Sequence, residues 1–302
     1  MLKRLLVVMA GFALLIPTPS AWAITNGLPD NGEHPYVGQL LFYVPDDIDP
    51  RFTDPGSWSS CTGTLLSPTV VVTAGHCTFG VGQDGESTGP GGNDVWINFS
   101  EEPDFSILPP SSTFVPDRNE ERYQAWSAAL NASTEWHRAT AYPHPEYDDN
   151  AFFLHDAGVL VLDEPIAMAR YGALPELGLL DELSKDKSQR FTAVGYGLEE
   201  SGPKTAIGGD TRRKSDQMLV NLNGALGAGK GTSAKFSSNN GAVHQGGTCF
   251  GDSGGPVFVA GTNVVTAVNS FVMSDPCAGS SGGYRLDQPD DLAFLASFGI
   301  TS

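Results

Sequence analysis

Ser253 stands in the run Thr248-Cys249-Phe250-Gly251-Asp252-Ser253-Gly254-Gly255-Pro256. Glycine on both sides lets the backbone turn sharply and leaves the hydroxyl exposed. The N–H groups of such a turn can converge on one point, as a developing oxyanion requires. Those residue types in that order point to a serine nucleophile with backbone donors beside it.

A nucleophilic serine needs a base, and chain order restricts which histidine serves. Gly251-Asp252-Ser253-Gly254-Gly255 also fits the looser G-x-S-x-G pattern of the α/β-hydrolases, in which the histidine follows the serine. The six histidines here are His34, His76, His137, His144, His155 and His244, all upstream of Ser253. That excludes the α/β-hydrolase reading and leaves a histidine-first, serine-last order.

Ala74-Gly75-His76-Cys77 follows the apolar run Val70-Val71-Val72-Thr73. His76 therefore sits at a strand end, beside a cysteine with no second near ligand of the kind zinc sites show. Asp156 opens the apolar stretch Ala157-Gly158-Val159-Leu160-Val161-Leu162. An acid there is buried at one end and needs a donor, which an imidazole N–H can be. Asp148 and Asp149 are rivals in a polar turn, and His144 and His155 read as structural.

On these residues the chain resembles the secreted serine proteases of the trypsin/chymotrypsin family, from Ile24 to the end. Thr73-Ala74-Gly75-His76-Cys77, Asp156 before its strand and Gly251-Asp252-Ser253-Gly254-Gly255 carry the resemblance. It implies an all-β fold of two packed six-stranded antiparallel β-barrels with a short C-terminal helix near residues 292–298. The expected domain spans 24–302, with barrels at about 24–165 and 187–302 and a linking segment between. The activity implied is peptide-bond hydrolysis through an acyl-enzyme, with Ser253 as nucleophile, His76 as base and Asp156 orienting it. Gly251 and Ser253 would bind the oxyanion, and Ser270 would hydrogen-bond Asp156. A neutral imidazole base implies activity that falls as pH drops through about 6 to 7. No metal or organic cofactor is implied. The expected partners are protein or peptide substrates and protein protease inhibitors, acting on a monomer. The alternative is a catalytically silent homologue serving as a binding or regulatory module, although such relatives usually lose a triad residue and all three are present.

The same resemblance places the activating terminus and the pocket. A free Ile24 ammonium would pair with Asp252, and no Lys or Arg lies between Arg4 and Ile24. Export itself is therefore expected to release that terminus. Four cysteines permit three pairings. The resemblance implies Cys61 with Cys77 and Cys249 with Cys277. In the pocket it puts Gly247 at the base, with Thr248 beside it. Ser270, Phe271 and Val272 form one wall, and Gly282, followed by Gly283 and Tyr284, the other. Without a charge at the base, small or medium uncharged substrate side chains are expected. Asp275 lies in a lengthened segment, where it could intrude.

Composition bounds the rest. The chain has 302 residues, 36 Gly and 21 Pro, which suits a turn-rich β fold. Its formal charge of -18 argues against binding nucleic acid or an anionic membrane through a broad basic surface. Residues 1–23 read as a signal peptide: Lys3 and Arg4, an apolar run too short to span a bilayer, then Ala21-Trp22-Ala23. The expected product is secreted (extracellular or periplasmic), free of the membrane, in a compartment where disulfides persist. Residues 37–44, 61–66 and 70–73 read as strands, and 45–60 as a loop. The interval between His76 and Asp156 is long for the family, and its insertion is expected to be loops near one edge of the cleft. Asn98 and Asn131 fit the glycosylation sequon. Arg212, Arg213 and Lys214 read as a solvated strand edge, and Tyr196 stands where the family commonly has tryptophan.

Overall fold

The computed structural model describes residues 24–44, 57–82, 92–114, 119–202, 205–224, 231–238, 246–274 and 277–302. The expected signal peptide and Asp275 lie outside these residues.

After a two-residue strand β1 (Leu28–Pro29), six strands follow: β2 (Val37–Val44), β3 (Ser57–Leu65), β4 (Val70–Thr73), β5 (Val95–Asn98), β6 (His137–Pro143) and β7 (Gly158–Leu162). They close into an antiparallel barrel in the order β2-β3-β4-β7-β6-β5. Period-2 alternation aims Leu40, Phe42 and Val44 of β2 into the main core. The opposite face of β2 is buried as well. Leu41 packs with Trp96, Leu108, Leu130 and Trp136, and Tyr43 lies 4.6 Å, ring to ring, from Tyr123.

What covers that outer face is a helix, α1 (Asn119–Ala132). The insertion between His76 and Asp156 thus carries α1 rather than loops alone. Tyr123, Trp126 and Leu130 fall at i, i+3 and i+7, one helical face. That face meets Trp58, Trp96 and Trp136 over the barrel wall. Strand β3 also begins earlier than the loop expected up to residue 60, because Ser57 to Ser60 pair with Val44 to Leu41.

The second half contributes β8 (Phe191–Gly195), β9 (Leu198–Gly202), β10 (Thr205–Gly208), β11 (Arg213–Gln217), β12 (Leu219–Asn221), β13 (Ser233–Ser238), β14 (Pro256–Val259), β15 (Val265–Val272) and β16 (Gly279–Arg285). Strands β9 and β10 form a hairpin of their own. The main sheet runs β1-β11-β8-β14-β15-β16-β13-β12. Met218 alone separates β11 from β12, so one bent stretch of chain pairs with β8 at one end and with β13 at the other. The sheet curls back on itself and gives the double-barrel architecture. The short helices are α2 (Leu179–Leu183), between the halves, and α3 (Pro289–Ala296). Helix α3 opens with Pro289 and carries Asp290 and Asp291 in its first turn, as its N-terminal dipole favours.

The basic run is not a solvated edge at Arg212 and Arg213, which are both buried. Arg212 Nε lies 3.0 Å from Asp30 Oδ2. Its Nη1 donates to the carbonyls of Val37 and Phe99 and to the Tyr196 hydroxyl, at 2.9 to 3.1 Å. A cation buried between the barrels is tolerated because each of these groups satisfies it. Of the two sequon asparagines, Asn98 is fully buried and cannot carry a glycan, whereas Asn131 is exposed.

Candidate active site

Strand β4 ends in a 3-10 turn, Gly75–Cys77, that turns His76 toward the gap between the barrels. Cys77 is bonded to Cys61 of β3, so the turn is tied to its neighbouring strand. Asp156 precedes β7 and follows His155, whose φ of 50° is left-handed. The Asp156 side chain is fully buried. Its Oδ1 accepts from the His76 backbone N–H at 2.9 Å, and both oxygens lie 3.0 to 3.1 Å from His76 Nδ1. Ser270 Oγ donates to Oδ2 at 2.5 Å. A carboxylate on Nδ1 selects the Nδ1–H tautomer and leaves Nε2 as the basic nitrogen.

Ser253 lies on the turn between Cys249 and β14. Gly254 is left-handed (φ 74°), and a Cβ there would fall 1.9 Å from Thr73 Oγ1, so only glycine fits. The turn is held from several sides. Leu198 N–H donates to Phe250 O at 2.7 Å, Thr62 N–H to Ser253 O at 2.8 Å and Gly254 N–H to Asn269 O at 2.7 Å. The Thr62 hydroxyl donates to Gly251 O at 2.9 Å. The N–H groups of Gly251 and Ser253 take part in none of these bonds.

Asp252 is fully buried. It accepts from Gly197 N–H at 2.8 Å and from Cys249 N–H at 2.7 Å. A Cβ at Gly197 would lie 2.5 Å from the carboxylate, so that glycine is what admits it. Burial pushes the Asp252 carboxyl up to about 7, although the two N–H donors pull it down. Ile24 is buried too, and Thr25 and Gly247 exchange backbone hydrogen bonds at 3.0 Å in both directions. With residues 1–23 attached, the Ile24 nitrogen is an uncharged peptide nitrogen.

His76, Gly251, Ser253 and Ser270 share one cleft of 550 Å³, walled by Phe42, Val44, Phe79, Phe152 and Phe250. Phe250 is 51% exposed. A smaller hollow of 230 Å³ adjoins it, lined by Thr248, Cys249, Phe250, Ser253, Asn269, Ser270, Phe271 and Val272. Gly247 and Gly282 are not part of that lining. Gly247 is turned to Thr25, and the Phe271 ring occupies the space a side chain at 282 would take. The second disulfide, Cys249 with Cys277, braces this side. Cys61 and Cys77 stand near His76, but their sulfurs are joined and offer no thiolate to a metal.

Two residues that shape the turn escaped the sequence reading, Thr62 and Leu198. Both act through long-range contacts that no local pattern announces. The glycines at 195 and 197 were a usable signal, since paired glycines around a large aromatic residue mark a close backbone approach.

A double barrel with an imidazole–carboxylate pair and a glycine-flanked serine on one inter-barrel cleft defines the chymotrypsin-like class of fold. A family model described as Trypsin matches residues 118–285, which include Asp156 and Ser253 and begin beyond His76. The chain belongs to the trypsin family. A trypsin of Saccharopolyspora erythraea is 27% identical over 234 residues, 76% of this chain and 83% of that one. Among solved structures, HL collagenase superposes with a TM-score of 0.62 at 15% identity, covering 92% of this chain and 100% of that one. A scabies mite inactivated protease paralogue, S-D1, gives 0.59 at 15% identity, over 92% and 99%.

Proposed function

We propose that this chain is a secreted serine endopeptidase. Ser253 Oγ attacks the peptide carbonyl, and His76 Nε2 takes the hydroxyl proton and returns it to the leaving amine. Asp156 holds the imidazole and stabilises its cationic form. The N–H groups of Gly251 and Ser253 bind the oxyanion. A water molecule then repeats the sequence on the acyl-enzyme. The observation that carries the reading is the Asp156 carboxylate, buried between the His76 ring and the Ser270 hydroxyl, with His76 and Ser253 on the same cleft.

Cleavage after Ala23 would free an ammonium at Ile24 that can pair with Asp252, which is buried and has no cationic partner among the described residues. Two bridged cysteine pairs support export to an oxidising compartment. No helix among the described residues is long and apolar enough to cross a membrane. The small hollow, with no charged group in its lining, supports a preference for small or medium uncharged side chains before the scissile bond.

One structural neighbour, the scabies mite paralogue S-D1, is an inactivated protease, so the fold is compatible with a silent homologue. Labelling by a fluorophosphonate separates the two readings. The mature chain should react stoichiometrically and its Ser253→Ala variant should not. Absence of labelling in a folded, correctly cleaved chain would leave the regulatory reading standing. In a peptide library, efficient cleavage after Arg, with none after Ala, Val or Leu, would refute the pocket assignment.

A further inference from the structure

Away from the cleft, two imidazoles and two carboxylates meet where the β6–β7 connection touches α3. His144 follows β6, and His155 immediately precedes Asp156. Their rings stack with centroids 5.0 Å apart and planes 18° from parallel. Asp290 stands in the first turn of α3. His155 Nδ1 lies 3.3 Å from Asp290 Oδ2 and 3.7 Å from Glu146 Oε2. That nitrogen is buried, yet it makes no hydrogen bond. One nitrogen of each histidine and one Asp290 oxygen all fall within 4.8 Å of one another.

The separations suit a shared cation. Two ligand atoms each about 2.0–2.1 Å from a tetrahedral ion stand about 3.3 Å apart, the distance already set between His155 and Asp290. Glu146 and Asp290 are 67% and 43% exposed at the side chain, so both can rotate inward. His144 Nδ1 accepts the Glu146 N–H at 3.2 Å, so that lone pair is engaged and an ion would bind Nε2, releasing its proton.

We propose that His144, His155, Asp290 and Glu146 form a binding site for a divalent transition-metal ion of the zinc type. Two imidazoles with two carboxylates select zinc, copper or nickel over calcium and magnesium, which take oxygen-rich shells. The ion would tie the segment carrying Asp156 to the C-terminal helix. The site is independent of peptide hydrolysis, so it is tested on a protein that cannot cleave itself.

The Ser253→Ala protein, stripped with EDTA and dialysed, is titrated calorimetrically with ZnCl2 and, separately, by absorption with CoCl2. One equivalent of zinc is expected to bind, and cobalt to give the intense visible bands of a four-coordinate ion. Adding His155→Ala or Asp290→Asn should weaken zinc binding about 10- to 100-fold and abolish those bands. Adding His76→Ala should change neither. Asp290→Asn is nearly isosteric on a half-exposed position, so it keeps the test sound should His155→Ala fail to fold. No zinc binding, equal affinity in the Asp290→Asn protein, or loss of binding on His76→Ala would each overturn the site.

Discussion

The backbone N–H of Leu198 donates to the carbonyl oxygen of Phe250 at 2.7 Å. A trans peptide is planar, with its C=O and N–H pointing in opposite directions. Holding the Phe250 carbonyl toward β9 therefore turns the Gly251 N–H the other way, away from β9. Leu198→Pro deletes that donor. If the Gly251 N–H serves as an oxyanion donor, kcat should fall about 100-fold with little change in KM. Leu198→Ala keeps the N–H and should stay near the parent rate. Equal kcat for the proline and alanine variants would show that the peptide orientation is set elsewhere.

Ser270 gives Asp156 a donor from the opposite barrel. Ser270→Ala leaves a buried carboxylate one hydrogen bond short, at a cost of roughly 1–3 kcal/mol. The expected outcome is a urea midpoint lowered accordingly and kcat/KM reduced about tenfold. An unchanged rate on a peptide ester would mean that the His76 ring is adequately held by its other contacts to Asp156.

Asp252 makes a stability prediction with a definite sign. Its carboxyl is raised to about 7 by burial in the uncleaved chain. A group raised on folding stabilises fully below its unfolded value near 4 and loses that contribution as pH climbs through its folded value. The uncleaved Ser253→Ala protein should thus lose up to about 4 kcal/mol of unfolding free energy between pH 4 and pH 8. Cleavage at Ile24 should remove most of that dependence, since an ammonium partner lowers the carboxyl again. Asp291, pushed up to about 8 mainly by burial, contributes the same sign to both forms and cancels in the comparison. Parallel pH profiles before and after cleavage would rule out the Ile24–Asp252 pair.

Arg212 and Asp30 form the buried ion pair of the barrel interface. Burial raises the Asp30 carboxyl, but the hydrogen bond and charge of His34, with Arg212 behind them, reverse this and hold it below its ordinary value. This contribution has the opposite sign to that of Asp252, being present above the ordinary carboxylate range and lost as pH falls. Arg212→Met should cost about 3–5 kcal/mol, because Asp30 keeps only His34 and the buried Val37, Phe99 and Tyr196 oxygens lose their donor. Asp30→Asn added to it should restore a large part. Additive losses in chemical denaturation would contradict the coupling.

Some of this molecule is readable from short stretches. The turn around Ser253 demands glycine where no Cβ fits, and His76 ends an apolar strand, so both are announced by their immediate neighbours. The period-2 run of β2 is equally local. Helix α1 is only weakly announced: Tyr123, Trp126 and Leu130 fall on one face, but the small and polar residues around them dilute the pattern. Only burial against Trp96 and Trp136 shows that the face is apolar for a reason.

Other features have no local signature. Arg212 reads as a surface cation because the carboxylate that neutralises it lies 182 residues away. The resemblance puts Gly247 at the pocket base and Gly282 on a wall, yet the pairing with Thr25 and the position of the Phe271 ring decide what the hollow contains. The sequence alone determined the class of chemistry, since steric exclusion and residue type act over a few bonds. The tertiary structure alone decided which groups share a cleft and which charges are buried, because those follow from contacts between segments far apart in the chain.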